Sequence, residues 1–355
     1  MIAVFSMTGD DGMDYAEIRR EARRKMKGCR VCRECNGFGC IGEIPGFGGL
    51  RTARSFIRNI EALREYGLIM NSLSHIEEPD TALPLFGRIL SMPVMVAPVG
   101  AVTLNCKIDG DVAEEELRYD LAVAKGATTA GTLAFCGDGG APYMYEGTLA
   151  ACKACPGMVV PTIKPREDAR IIEKAKLAEA VGAPAVAADI DAATLINMRL
   201  LGQPVGPKSP ESIRKVAESV NIPFIVKGIM SANEALQCAA AGAKAVVVSN
   251  HGGRVLDGMA GTADVLPVIA AAVKGKITVL VDGGIRSGED VLKMLALGAD
   301  AVLIGRPVAV AAVGGGAAGV ALYLEKIRRE LSDAMMITGV ADVRHVSADI
   351  LMKLK

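Results

Sequence analysis

From Met92 onward, eight short apolar runs alternate with helical patterns of Ala, Leu, Glu and Lys, and this alternation limits the possible folds more than any other feature. The runs cover residues 94–99, 128–135, 158–163, 185–190, 224–228, 245–249, 278–282 and 301–304. Stretches such as VVV and VLV lack polar alternation, so both faces must be buried, as in a parallel sheet covered by helices. Eight βα units in roughly 250 residues is the count of a (β/α)8 barrel. An open doubly wound sheet is the competitor, but it has no fixed strand number. The predicted fold is therefore α/β, a (β/α)8 TIM barrel over residues 47–355. Residues 1–46 are expected to form an N-terminal extension, a charged helix (14–27) followed by a Cys-rich segment.

Composition removes several function classes. With 51% hydrophobic residues the chain can bury a large core, which excludes wholesale disorder. Lys plus Arg (40) equals Asp plus Glu (40), so no net charge draws it to nucleic acid or an anionic membrane. The longest uncharged stretch, 307–324, is broken by Gly314-Gly315-Gly316 and falls short of the ~20 strongly apolar residues a span needs. It is expected to be a loop followed by a buried helix, with no membrane span. The start MIAVFSM reaches Asp10 and Asp11 without a long apolar segment, so no signal peptide is read and a cytoplasmic location is expected. A homo-oligomer is the expected assembly.

In a barrel, chemistry collects where strands end at their C-terminal edge. Those edges read Pro98-Val99-Gly100, Gly131-Thr132, Pro161 to Lys164, Asp189-Ile190-Asp191, Lys227-Gly228, Ser249 to Arg254, Asp282 to Arg286 and Gly305-Arg306. Of three histidines, His75 is read as lying in a surface turn and His345 in a C-terminal amphipathic segment. His251 ends a buried strand, followed by two glycines and Arg254, a fork suited to a carboxylate. A histidine beside such an arginine suits a general base for an acidic substrate. The turns Asp282-Gly283-Gly284-Ile285-Arg286 and Gly305-Arg306, after the last two strands, suit a phosphate. Lys227, at the end of PFIVKG, is either a Schiff-base amine or a cation for developing negative charge.

Cys29, Cys32, Cys35 and Cys40 lie within GCRVCRECNGFGCIGE. Four thiols so close suit a tetrathiolate metal site. Zinc is one reading, since CxxCNGFG is similar to CxxCxGxG zinc modules. An iron–sulfur cluster is the second: three cysteines at x2 spacing match the start of a ferredoxin run, although the last gap differs and no proline follows Cys40. Free thiols are the third. Cys152 and Cys155 are read as incidental reduced cysteines.

SNHGGRVLDG, VDGGIRSGEDVLKMLALGADAVLIGRP and IPFIVKGI resemble the signature segments of the FMN-dependent α-hydroxy-acid dehydrogenase and oxidase family, from about Phe47 to the C-terminus. The resemblance implies an FMN cofactor and oxidation of a small 2-hydroxy acid, lactate- or glycolate-like, with the electron acceptor left open. It implies His251 as the base, Asp191 as its partner and Lys227 facing the flavin N1–O2 edge. Arg254 would bind the substrate carboxylate, with Arg199 near a second carboxylate arginine. Pro98, Val99, Gly100, Thr132 and Ser249 would line the isoalloxazine and ribityl chain. Asp282, Gly283, Gly284, Arg286, Gly305 and Arg306 would hold ribityl and phosphate.

Three departures stand out. Pro161-Thr162-Ile163 replaces the family's Gln-x-Tyr, Asp189 replaces a threonine, and the Cys-rich region lacks the family's N-terminal tyrosine. These leave the substrate open and keep two alternatives in view: another FMN-barrel reaction, such as an isomerase or reductase, or a non-enzymatic flavoprotein redox module.

Overall fold

Period-two alternation divides the side chains of eight parallel strands between two cores. The computed structural model describes residues 14–354, so the MIAVFSM segment lies outside the described residues. The strands are β1 (Val94–Val96), β2 (Ala134–Gly137), β3 (Val159–Ile163), β4 (Val186–Asp189), β5 (Phe224–Ile229), β6 (Ala245–Val248), β7 (Thr278–Asp282) and β8 (Ala301–Ile304). Each pairs in parallel with its sequence neighbour, and β8 returns to β1 to close the barrel. Met95, Phe135, Val160, Ala187, Ile225, Val247, Leu280 and Leu303, one from each strand, fill the interior. Their neighbours, such as Val94, Val159, Phe224 and Val302, face the helices in the outer core. This double burial is what continuous apolar strands require. A hairpin of Leu83–Leu85 and Arg88–Leu90 lays Leu83, Leu85 and Leu90 against the interior cluster.

The helices longer than five residues are α1 (Tyr15–Lys25), α2 (Arg54–Arg64), α3 (Val112–Thr129), α4 (Pro142–Ala154), α5 (Asp168–Ala180), α6 (Pro210–Glu218), α7 (Ala232–Ala240), α8 (Thr262–Val273), α9 (Gly288–Ala296) and α10 (Arg306–Thr338). Side-chain caps start several of them: Asp14 for α1, Asp111 for α3, Ser209 for α6, Ser231 for α7 and Ser287 for α9. Tyr66–Leu68 pairs antiparallel with Leu351–Lys353, tying the C-terminal end to the chain that enters the barrel.

Two sequence expectations are corrected here. The second strand begins at Ala134, because α3 runs on to Thr129 and Thr132 N–H bonds back to the Ala127 carbonyl. Residues 307–324 hold no loop: they belong to α10, which bends at Gly316 (φ 58°, ψ −146°). By length and composition α10 could cross a membrane, yet it packs on α1, α3 and α9.

Helix α1 buries Ile18 and Ala22, and its Tyr15 ring lies 5.7 Å from that of Tyr323 in α10. The helices can approach so closely because Gly314 has no Cβ; one placed there would lie 2.1 Å from the Ile18 carbonyl oxygen. Glycine to alanine in a free helix stabilises by about 1 kcal/mol. Gly314→Ala should instead lower stability by about 1–3 kcal/mol through overpacking. Thermal denaturation checks the sign, and a raised Tm would mean that α1 does not pack there.

Candidate active site

One step beyond the apolar interior layer, the inward positions change character. Ala187 is followed inward by Asp189, Ile225 by Lys227, Val247 by Ser249 and Leu280 by Asp282, all buried. The Lys227 ammonium donates to Ser249 Oγ at 2.7 Å and pairs with Asp282 Oδ2 at 3.1 Å. Burial pulls its pKa down, but Asp282, Asp191 and Asp189 outweigh that and leave it above the ordinary value. Lys164 pairs with Asp189 at 2.6 Å. Burial still holds the Asp189 carboxyl above its usual range.

His251 follows β6 in the left-handed region (φ 56°), where its backbone N–H donates to Ser249 Oγ at 3.1 Å. Its Nδ1 lies 3.0 Å from Asp191 Oδ1. Burial raises the Asp191 pKa, but His251 and Lys227 reverse this and bring it below the usual value, so Asp191 stays ionised. Asp191 reaches across the end of β5 only because Gly228 (φ 103°) has no side chain; a Cβ there would lie 2.5 Å from Asp191 Cγ.

Arg254 lines the same cavity and donates to the Gly46 carbonyl and to Asn105 Oδ1 at 3.0 Å. Burial, together with Arg306, pulls its pKa well down. It is a half-buried cation with no carboxylate partner among the described residues, which suits it to an anion from outside.

Asp282, Gly283, Gly284, Arg286, Gly305 and Arg306 form one continuous wall of the cavity. Gly283 and Gly284 both have positive φ, and a Cβ on Gly284 would lie 2.3 Å from the Asn59 carbonyl oxygen. Asp282 Oδ1 is buried with no hydrogen-bond partner among the described residues. A sugar-alcohol hydroxyl would satisfy that oxygen, and the two arginines suit a phosphate, so the wall fits FMN.

The structure brings together Pro98, Val99, Gly100, Lys227, His251, Arg254 and the phosphate-wall residues, with Asp191 and Ser249 directly behind them. Two expected residues fall elsewhere. Thr132 is buried before β2 and donates to the Val94 carbonyl, so the cavity edge of that strand is Asp138-Gly139-Gly140. Arg199 is exposed on the short helix Ile196–Leu200, whose Asn197 and Met198 line the cavity instead. Sequence reasoning missed Asn105, Asp138 and Phe47; the first two lie past strand ends, and Phe47 belongs to the segment folded over the mouth. Asp138 accepts from Lys174 (2.9 Å), which repetition of the strand pattern gives no reason to expect.

A family model described as FMN-dependent dehydrogenase matches residues 47–200 and 197–353. The chain is 34% identical to 4-hydroxymandelate oxidase of Amycolatopsis orientalis over 331 residues, 85% of this chain and 91% of the relative. It is 31% identical to L-lactate dehydrogenase of Pseudomonas paraeruginosa over 358 residues, 86% of this chain and 92% of the relative. Among solved structures, a mandelate oxidase variant with 2-hydroxy-phenylacetamide superimposes with a TM-score of 0.76 at 30% identity, covering 96% of this chain and 98% of that one.

Charged hydrogen bonds contribute about 1.5–3 kcal/mol each. Arg286→Gln and Arg306→Gln should therefore each weaken FMN retention by roughly 10- to 100-fold. Titration of the apoprotein with FMN, followed by flavin fluorescence, measures this; unchanged affinity in both would remove the phosphate from this wall.

Proposed function

The chain belongs to the FMN-dependent dehydrogenase family, and from that premise we propose that it oxidises a small, lactate- or glycolate-like 2-hydroxy acid to the 2-oxo acid. It is an FMN-dependent hydroxy-acid oxidoreductase. The observation that carries the finer reading is the convergence on one cavity, beneath Gly46 and Phe47, of the His251–Asp191 pair and Arg254, whose partners among the described residues are neutral oxygens.

FMN, when bound, supplies the two-electron acceptor. The chain supplies the rest. With Asp191 ionised, His251 Nδ1 carries its hydrogen and Nε2 is free to take the proton of the substrate hydroxyl. The imidazolium that results faces the Asp191 carboxylate, which stabilises it. Arg254 holds the substrate carboxylate and so presents the hydroxyl-bearing carbon in one orientation. Lys227 keeps a positive charge at the floor of the cavity, where negative charge develops.

The segment lying on Arg254 favours a small substrate. The Gly46 carbonyl is bonded directly to the guanidinium, and Phe47, Leu195, Met198 and Leu201 close the adjoining walls with apolar surface. An apolar substituent suits such walls and a second carboxylate does not.

His251→Ala should slow anaerobic flavin bleaching by the substrate by at least about 10²-fold, the scale of general-base loss. FMN content should be unchanged, because the phosphate wall lies elsewhere. A near-normal rate would refute the assignment. The substrate proposal is tested separately with a panel of 2-hydroxy acids: lactate or glycolate should bleach the flavin faster than mandelate. Bleaching by mandelate alone would sink the small-substrate reading and leave the reaction class standing.

A further inference from the structure

A second cavity, of about 230 Å³, adjoins the active site. Cys29, Cys32, Cys35 and Cys40 all line it, and it shares Phe47, Arg286 and Arg306 with the cavity that holds His251. We propose that Cys29, Cys32, Cys35 and Cys40 hold a four-iron iron–sulfur cluster in this cavity.

The loop carrying the thiols is fixed by its backbone. Arg19 donates to the carbonyls of Val31 and Cys32, Arg23 to those of Arg30 and Val31, and Arg286 to that of Cys35 at 2.8 and 3.0 Å. All four cysteines line the cavity, and the Cys40 thiol lies 3.8 Å from the Gly37 carbonyl oxygen. All four cysteines are free.

The wall is cationic. Arg19, Arg286 and Arg306 line the cavity, and their hydrogen bonds go to backbone carbonyls rather than to carboxylates among the described residues. Four thiolates around a metal centre leave a net negative charge, which this wall would balance.

Spacing of the sulfurs separates the two metal chemistries. Tetrahedral zinc, with Zn–S near 2.3 Å, draws four sulfurs to about 3.8 Å from one another. Here no three of the four approach within 4.8 Å; among the described residues only Asp189, Asp191 and His251 form such a group. A four-iron cluster holds its thiolates further apart, at the corners of a larger tetrahedron. It also needs space between them, and a single ion leaves none. Three cysteines at x2 spacing, with a fourth brought back by the Gly37–Gly39 turn, suit that wider frame.

The redox consequence rests on the function proposed above. Oxidation of a 2-hydroxy acid releases two electrons and two protons. A cluster cycling between its 2+ and 1+ core states passes one electron at a time, so two passages to an outside one-electron carrier protein would complete a turnover. Cys32 is exposed, giving such a carrier access to one edge of the site.

The full-length protein, purified anaerobically, decides the matter by metal and acid-labile sulfide analysis. The expected result is about four iron and four sulfide per chain, with a paramagnetic signal after dithionite reduction. One zinc per chain without sulfide would overturn the proposal. So would the absence of iron and sulfide both as isolated and after anaerobic reconstitution with ferrous iron and sulfide. Cys35→Ser should lose the iron and keep FMN, because the carbonyl of Cys35, not its thiol, holds Arg286. If that variant fails to fold, Cys32→Ser at the exposed corner serves instead, with Cys152→Ser as the control that keeps its iron. Full iron retention in Cys32→Ser and Cys40→Ser combined would also overturn it. None of these readouts depends on turnover of a hydroxy acid.

Discussion

A lysine buried at the floor of a barrel mouth stays charged only among carboxylates, and Lys227 is placed among three. Asp282 is in contact, and Asp191 and Asp189 act on it through space. Removing one partner of a buried pair costs about 3–5 kcal/mol, because the charge left behind is neither solvated nor paired. Each carboxylate also serves another element. Asp282 begins the phosphate wall, Asp191 orients His251, and Asp189 reaches Lys164 beyond β3. One charge network therefore joins the ends of β3, β4, β5 and β7 to the loop after β6. The geometry of the base is thus tied to the carboxylates that keep the lysine charged.

A second organising interaction is the use of arginines against backbone carbonyls. Arg306 donates to the carbonyls of Phe47, Gly48 and Gly252 and stacks over the Phe56 ring at 3.8 Å. Arg254 reaches Gly46 and Arg286 reaches Cys35. A guanidinium has five donors, so such bonds hold the N-terminal segment over the mouth while leaving the positive charge uncompensated. The segment is thereby fixed, and the cavity keeps its attraction for phosphate and carboxylate. Because α1 is locked on α10 through Gly314, the start of that segment is also anchored from behind.

The barrel could be read from the chain because a parallel strand buried on both faces leaves an unmistakable apolar run. At 278–282 and 301–304 the expected and observed bounds coincide. The reading failed at 128–135 because Ala and Thr serve a helix end as well as a strand, and Gly131 (φ 72°) turns the chain after α3 rather than within the sheet. That slip carried Thr132 to the wrong end of its strand. Arg199 was named from the family resemblance, by position along the chain alone; it lies exposed on a short helix that turns Asn197 and Met198 to the cavity instead. The glycines 314–316 were read as a loop because their second use, close contact between helices, leaves the same signature.

By itself, the sequence determined the strand count, the strand that carries each charged residue and the flavin-family segments. These depend on local alternation and on motifs whose residues are neighbours along the chain. Tertiary structure alone decided that Asp189 meets Lys164, that Arg254 meets the Gly46 carbonyl and Asn105, that Phe47 covers the mouth, and that four cysteines share a cavity with Arg286 and Arg306. Those facts join residues far apart in sequence. They are set by barrel closure and by the neutralisation of buried charge, and a local pattern cannot encode either.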